Sequence, residues 1–489
     1  MITLLLSIVT LILGYFIYGR ILERVFGVER SASTPATRLA DGVDFVVLPT
    51  WRIFLIQFLN IAGLGPIFGA IAGAMYGPSA FLWIVLGSIF AGMVHDYFSG
   101  MLSLRHDGQS ISEVVGIYMG KGARHVMRVF TLLLLIFVGT VFLVGPAKII
   151  DGMTGNILSL WGWVGVILVY YVLSTLLPID KFISKLYPVF GIAMLLMAIG
   201  LIGALFIGDY HIPELTTTTL RNMTSNPEAT PLFPMLFVTI ACGAVSGFHS
   251  TQSPLMARCM GNEGSGKVIF SGTMITEGVV ALIWAAVSMT YFGSVEGLNG
   301  AMADNNNNAA WAANEISVQM LGPLGGILAL LGIVAAPITS GDTAFRSARL
   351  ILADIFKLSQ KKLVQRLYIS LPLFVIAFAL TQIDFAIIWR YFSWSNQTLA
   401  TIVLWTITVY LSKQGKSYWV SLVPSVFMTM VCSSYILLAP EGFSIAHTPA
   451  YLAAAVLTVG SVIAFFWSRK SHHNRVTEAP ELEEQSAIN

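Results

Sequence analysis

The stretch Asn60–Gly77, NIAGLGPIFGAIAGAMYG, is apolar enough to lie in lipid, yet it holds one Asn, one Pro and five glycines. Pro66 cannot donate a backbone hydrogen bond, and Gly63 and Gly65 remove the steric bias toward helix. Irregular backbone at membrane depth is tolerated only where it is buried in protein or lines a cavity. The stretch therefore predicts a membrane helix interrupted near its middle. After the interruption Gly65, Gly69, Gly73 and Gly77 recur every four residues, on one face where another helix can approach closely.

The rest of the chain fits that setting. Of 489 residues, 56% are hydrophobic and 11% charged, with a mean hydropathy of +0.78. Soluble domains carry about a quarter charged residues. Unbroken runs such as Thr131–Gly145, TLLLLIFVGTVFLVG, exclude the alternation of barrel strands. The fold class is an all-α polytopic membrane protein. A net charge of +2 supplies no bulk field for nucleic acid. Cys242, Cys259 and Cys432 are far apart and form no disulfide framework. The first apolar run, 2–19, is followed by Arg20 and preceded by no basic stretch, the wrong polarity for a signal peptide. It reads as a retained span with its N-terminus outside.

Thirteen spans are expected, near 2–19, 53–75, 80–104, 126–147, 157–178, 187–208, 233–257, 268–293, 316–340, 367–383, 385–411, 418–439 and 450–468. With the N-terminus outside, 24 lysines and arginines fall inside, and only Lys148, Arg221 and Arg390 fall outside. That split obeys the positive-inside rule and places the C-terminus in the cytoplasm. The acidic tail TEAPELEEQSAIN, 477–489, is expected to be disordered, and Asn305–Asn308 reads as an outside spacer.

A second interruption falls in the seventh span, LFVTIACGAVSGFHSTQSPL, 236–255. Gly243, Gly247 and Pro254 bracket Ser246, His249, Ser250, Thr251, Gln252 and Ser253, polar groups that are costly in lipid unless they face a cavity. The two interrupted spans lie five apart and run in opposite directions. This predicts two inverted five-helix repeats, 53–208 and 209–411, with a site at the midplane. Residues 1–52 form a first span and cytoplasmic loop, 412–468 two further spans, and 469–489 the tail. Half-helix ends offer N–H groups to a carboxylate and carbonyls to a cation. Asn60, Ala62, Gly63 and Gly65 are therefore expected to face Gly243, Ser246, Gly247, His249 and Ser250 across a small substrate cavity.

Ion coupling has three candidate positions. His95 and Asp96 adjoin inside the third span, an acid beside an imidazole and so a candidate proton relay. Thr339 and Ser340 offer adjacent hydroxyls where, by analogy, the leucine-transporter fold holds sodium. Asp342 is either a proton carrier or a cap, with Arg346 and Arg349 within helical reach. Arg105, Ser110 and Glu113 form a cytoplasmic gate or a folded loop, and Ser395, Asn396 and Gln397 read as polar contacts between helices. GNEGSGKV, 261–268, imitates a phosphate-binding loop, but Val268 stands where Ser or Thr must hold magnesium. No His/Cys/carboxylate group has zinc spacing, so no metal or cofactor is expected beyond a coupling proton, with sodium as the alternative.

The segments NIAGLGPIFGAIAG, VHDYFSGMLSLRHDGQSISEVV, ACGAVSGFHS and SNQTLA resemble the carbon starvation protein A family of bacterial transporters, over nearly every span from about 45 to 411. The resemblance implies the leucine-transporter architecture and uptake of peptides or pyruvate by proton symport, with lipid as surroundings and no nucleic-acid partner. It leaves oligomeric state open. Two departures stand out: the chain is shorter than long family members, and Ile56 and Gln57 replace a His pair. The residues themselves imply only a small polar solute bearing a carboxylate. Two other functions use the same features: an intramembrane hydrolase with Asp96 and Asp342 as paired acids, although TSGD lacks the first Gly of that signature, and a channel.

Overall fold

The computed structural model describes the backbone of residues 1–42, 44–155, 157–176, 183–208, 210–358 and 362–488. It describes their side chains except at 176, 183–187, 354 and 471–488. The loop between the fifth and sixth expected spans, with Lys181 and Lys185, and the acidic tail lie outside the residues so described.

The described residues contain no strand, only helices and their connections. Helix α1, Ile2–Phe26, ends at Gly27, whose left-handed φ of 77° closes the last turn. Leu4, Leu11 and Leu22 are buried on one face, while Leu6, Leu13 and Ile17 are exposed on the other, as a lipid-facing helix requires.

The first interruption is real. Helix α2, Thr50–Ile61, and helix α3, Gly65–Ala74, meet at 53°. The chain leaves the helix at Ala62–Leu64, and Pro66 sits in the first turn of α3, where its missing N–H breaks no helical bond. Helices α4 (Ser79–Arg105), α5 (Ile111–Met119), α6 (Lys121–Thr154), α7 (Leu160–Leu176) and α8 (Ile183–Ile207) follow. The second interruption separates α9, Leu232–Thr239, from α10, Gly247–Ala257. Gly243 lies within it at φ 91°, a conformation that a side chain resists. Pro254, expected to help break the span, is carried inside α10.

Helices α11 (Glu263–Tyr291), α12 (Val295–Asp304), α13 (Ala309–Ala353), α14 (Leu363–Leu380), α15 (Phe385–Lys413), α16 (Trp419–Leu438) and α17 (His447–Ile488) complete the order. In α13 the structure shifts the expected 316–340 span. Gly322, at φ 62°, kinks the element ahead of Pro323, and the apolar helix then runs on past Thr339 and Asp342. Among the described residues nine helices are long and apolar enough to cross a bilayer, or ten with α2 and α3 taken as one bent span. Three other expected spans are helical but fail that measure: α7 is short, α9 and α10 are separate halves, and α15 is too polar.

Two packing groups emerge, each drawing on both repeats. Helix α4 packs on α10, and α11 packs on α2 and α3. In the other group α6 packs on α13, and α14 on α7. Helix α15 lies against both α6 and α10, with α16 and α17 stacked outside it.

Candidate functional site

The two interruptions touch. A Cβ added to Gly65 would lie 2.2 Å from Cys242 Cβ, and one added to Gly243 would lie 3.7 Å from Pro66 Cα. A Cβ on Gly69 would fall 3.1 Å from the Thr239 carbonyl oxygen. The small-residue face read from the sequence thus lets one broken span seat directly on the other. Helix α4 holds the second break open: Trp83 Nε1 donates to the Ile240 carbonyl at 3.1 Å, and Ser88 Oγ to the Gly243 carbonyl at 2.8 Å. Both carbonyls lost their helical partners when the chain unwound.

The expected substrate residues do not all face one another. Gly65 and Gly243 do. Gly63 instead faces the Phe142 ring of α6, and Gly247 packs on Asn396 and Leu399 of α15. Asn396 caps α10: its Oδ1 accepts from the Phe248 N–H at 2.7 Å, and its Nδ2 donates to Ser246 Oγ at 3.0 Å. The free helix end reserved for a substrate carboxylate is thus partly taken by this carboxamide. Ser250 donates to the Gly247 carbonyl at 2.7 Å, so its hydroxyl serves its own helix. Ala62 and Asn60 are buried at the end of α2, and Asn60 Oδ1 has no hydrogen-bond partner among the described residues. One turn earlier, buried Gln57 leaves both amide atoms unpartnered.

The acid and imidazole groups form one continuous chain. His95 Nδ1 lies 2.7 Å from one oxygen of Asp96, and His249 Nδ1 lies 2.7 Å from the other. A carboxylate only accepts, so both rings donate from Nδ1, leaving each Nε2 open. His249 Nε2 lies 3.3 Å from Glu277 Oε2. All four side chains are fully buried. The sequence reading assigned His249 to substrate and missed Glu277 altogether. A lone acid within the apolar stretch of α11 was itself the available signal.

The hydroxyl pair sits elsewhere on the same centre. Ser340 Oγ reaches the Leu59 carbonyl at the end of α2 at 3.4 Å and the Ala336 carbonyl at 3.2 Å. Thr339 Oγ1 donates to the Ala336 carbonyl at 2.7 Å. Asp342 is buried, accepts from Ser174, and lies 3.4 Å from Arg346 Nη2. Asp342 and Asp96 belong to separate networks, which removes the geometry of an aspartyl pair. On the side where α10 ends, a cavity of about 70 Å³ is lined by Ser110 and Ser112, Thr131, Thr251, Arg258 and Ser347. It opens between the two packing groups. Arg105 and Glu113 are folded parts, not free gate charges: Arg105 pairs with Glu263 at 2.8 Å, and Glu113 with Arg128 at 2.6 Å.

The family model "Carbon starvation protein CstA" matches residues 1–160, 153–384 and 324–434. The chain belongs to the carbon starvation protein CstA family. A membrane protein of Haemophilus influenzae, described as uncharacterised, is 40% identical over 60% of this chain and 92% of its own length. Proteins named peptide transporter CstA match at 25% identity in Campylobacter jejuni (90% of this chain, 81% of that one) and 26% in Escherichia coli (87% and 79%). Among solved structures, MhsT in complex with L-phenylalanine superposes with a TM-score of 0.56 at 13% identity, covering 85% of this chain and 99% of that one. A manganese transporter of Eremococcus coleocola gives 0.55 at 13%, covering 88% and 97%. These likenesses fix the fold as leucine-transporter-like. By family and fold the CstA-type chain is a multi-pass membrane transporter rather than an enzyme.

Proposed function

We propose that this protein is a secondary active transporter of the bacterial inner membrane that imports small carboxylate-bearing nutrients, peptides or pyruvate, by proton symport. The observation that carries this reading is the contact between two opposed helix breaks beside the buried Gln57 amide and Asn60 Oδ1, which have no hydrogen-bond partner among the described residues. Buried polar groups without partners are costly, and a site that pairs them only when a solute arrives turns that cost into selectivity. The printed names of the curated relatives favour peptides. Proton coupling is supported by the hydrogen-bonded line His95–Asp96–His249, which joins α4 to α10 next to the break. Sodium coupling through Ser340 and the Leu59 carbonyl is the second reading, favoured by that one contact between α13 and α2.

Uptake into proteoliposomes under an imposed pH or sodium gradient tests both, with pyruvate compared against di- and tripeptides. Accumulation should follow the pH gradient and saturate. In Asp96→Asn, gradient-driven accumulation should be lost while solute exchange without a gradient persists. Conduction without accumulation would overturn the transporter reading. Sodium dependence would transfer coupling to Ser340.

A further inference from the structure

We infer that Cys242, His249 and Glu277 form a binding site for one zinc-class divalent cation. The three residues lie far apart in sequence and lack zinc spacing, but the second break folds Cys242 back over α10, and α11 brings Glu277 to the same point. Their Sγ, imidazole nitrogen and carboxylate oxygen atoms lie within 4.8 Å of one another, all on fully buried or nearly buried side chains.

Three observations point to a cation. His249 Nε2 and both Glu277 oxygens have no hydrogen-bond partner among the described residues. The 3.3 Å between Nε2 and Oε2 lacks the alignment of a hydrogen bond, in contrast to the 2.7 Å bond on the Nδ1 side of the same ring. Two ligands about 2.0 Å from a tetrahedral zinc lie about 3.3 Å apart, the separation these two atoms keep. A proton shared between Glu277 and His249 would account for two corners of the triangle; the thiol at the third donates to Ser246 Oγ at 3.4 Å and becomes a ligand on losing that proton.

The surroundings match a metal ligand shell. Asp96 accepts from His249 Nδ1, which fixes the tautomer that presents Nε2 and is the usual outer partner of a metal-bound histidine. Asn396 Nδ2 donates to Cys242 Sγ at 3.5 Å, a contact that suits a thiolate. Binding releases the thiol proton to solvent, and thiolate plus carboxylate then balance the two positive charges. Sulfur, nitrogen and oxygen donors together favour zinc over magnesium or calcium. Three protein ligands would leave a fourth tetrahedral position for water. The site is independent of what the protein transports, although a cation there would exclude a second proton on His249 and so inhibit proton-driven uptake.

The test uses the purified full-length protein in detergent, titrated with Co²⁺ as the optical probe. One equivalent should give tetrahedral visible bands and a thiolate-to-cobalt charge-transfer band, both erased by Zn²⁺. Cys242→Ser should lose the charge-transfer band, and Glu277→Gln should weaken binding about tenfold or more. Cys259→Ser and Cys432→Ser should change neither. Thermal unfolding without metal identifies a variant that fails to fold. In that case Asp96→Asn, which keeps all three ligands, should still bind cobalt with about 10–100-fold lower affinity. Absence of saturable cobalt binding to the wild type, or an unchanged spectrum in Cys242→Ser, overturns the site whether or not uptake is observed.

Discussion

Gly65 has no room for one more carbon. A methyl group there would meet the Cβ and Sγ of Cys242, and the Cβ cannot move aside without the backbone. Gly65→Ala should push the two breaks apart at a cost of about 1–3 kcal/mol. We expect a lower unfolding temperature and uptake reduced at least tenfold, with the protein still in the membrane. Asn396 makes a second point test. Asn396→Ala removes the acceptor from the first turn of α10 and should cost about 1 kcal/mol, read as a lower unfolding temperature. At this scale the sequence was partly legible. An acid beside an imidazole at 95–96 announced itself, because ionisable groups are rare in lipid. The hydroxyls of α10 were less legible, because a serine or threonine in a helix can bond the carbonyl three or four residues back: Thr251 reaches Phe248 and Ser253 reaches His249. Asn396 could not be read as a cap, since its helix end is about 150 residues away in sequence.

Among the elements, both broken spans were legible because Gly and Pro act locally on the backbone. Their limits were less so. Pro254 fits inside α10 near its C-terminal end, and Gly243, at positive φ, sets the real break. The ninth span outran its expected limits: Gly322–Pro323 kinks α13 without ending it, and the polar residues after 338 stay helical. An element-scale prediction concerns the outer end of α1. The Glu214 carboxylate accepts from the N–H groups of Ile2 at 2.8 Å and Thr3 at 2.7 Å. Burial pushes this carboxyl up, but the Met1 amino group, the Thr3 hydroxyl and those N–H groups outweigh it and hold it at about 2. A depressed carboxylate stabilises fully above its unfolded value of about 4.3, and that contribution is lost as pH falls from there toward 2. Amide protection at Ile2–Leu5, the exchange rate corrected for its intrinsic pH dependence, should therefore hold from pH 7 to 5 and fall only in acid. Glu214→Gln should show the faster exchange already at pH 7.

For the whole molecule, the spacing of the breaks carried the inverted halves, and the charge distribution supplies an expected orientation. What no local pattern could supply was the seating of one break on the other, or the line from His95 to Glu277 across three helices. The orientation is open to labelling. In cells of a Cys259→Ser background, a membrane-impermeant thiol reagent should modify Asn306→Cys from outside and leave Ser417→Cys untouched until the membrane is opened. The reverse pattern would invert the topology.

The bonds around the centre are also unevenly distributed. Short hydrogen bonds tie α4, α10 and α15 to one another through Asp96 and Asn396, whereas the one hydrogen bond described between α2 and α13 is a 3.4 Å contact from the Ser340 hydroxyl to the Leu59 carbonyl. Shear applied across the molecule would be absorbed along that weak seam. The ionisable cluster would then ride as a rigid passenger, and its exposure to one aqueous face or the other would be decided by slippage tens of atoms away, not by any rearrangement of the cluster itself.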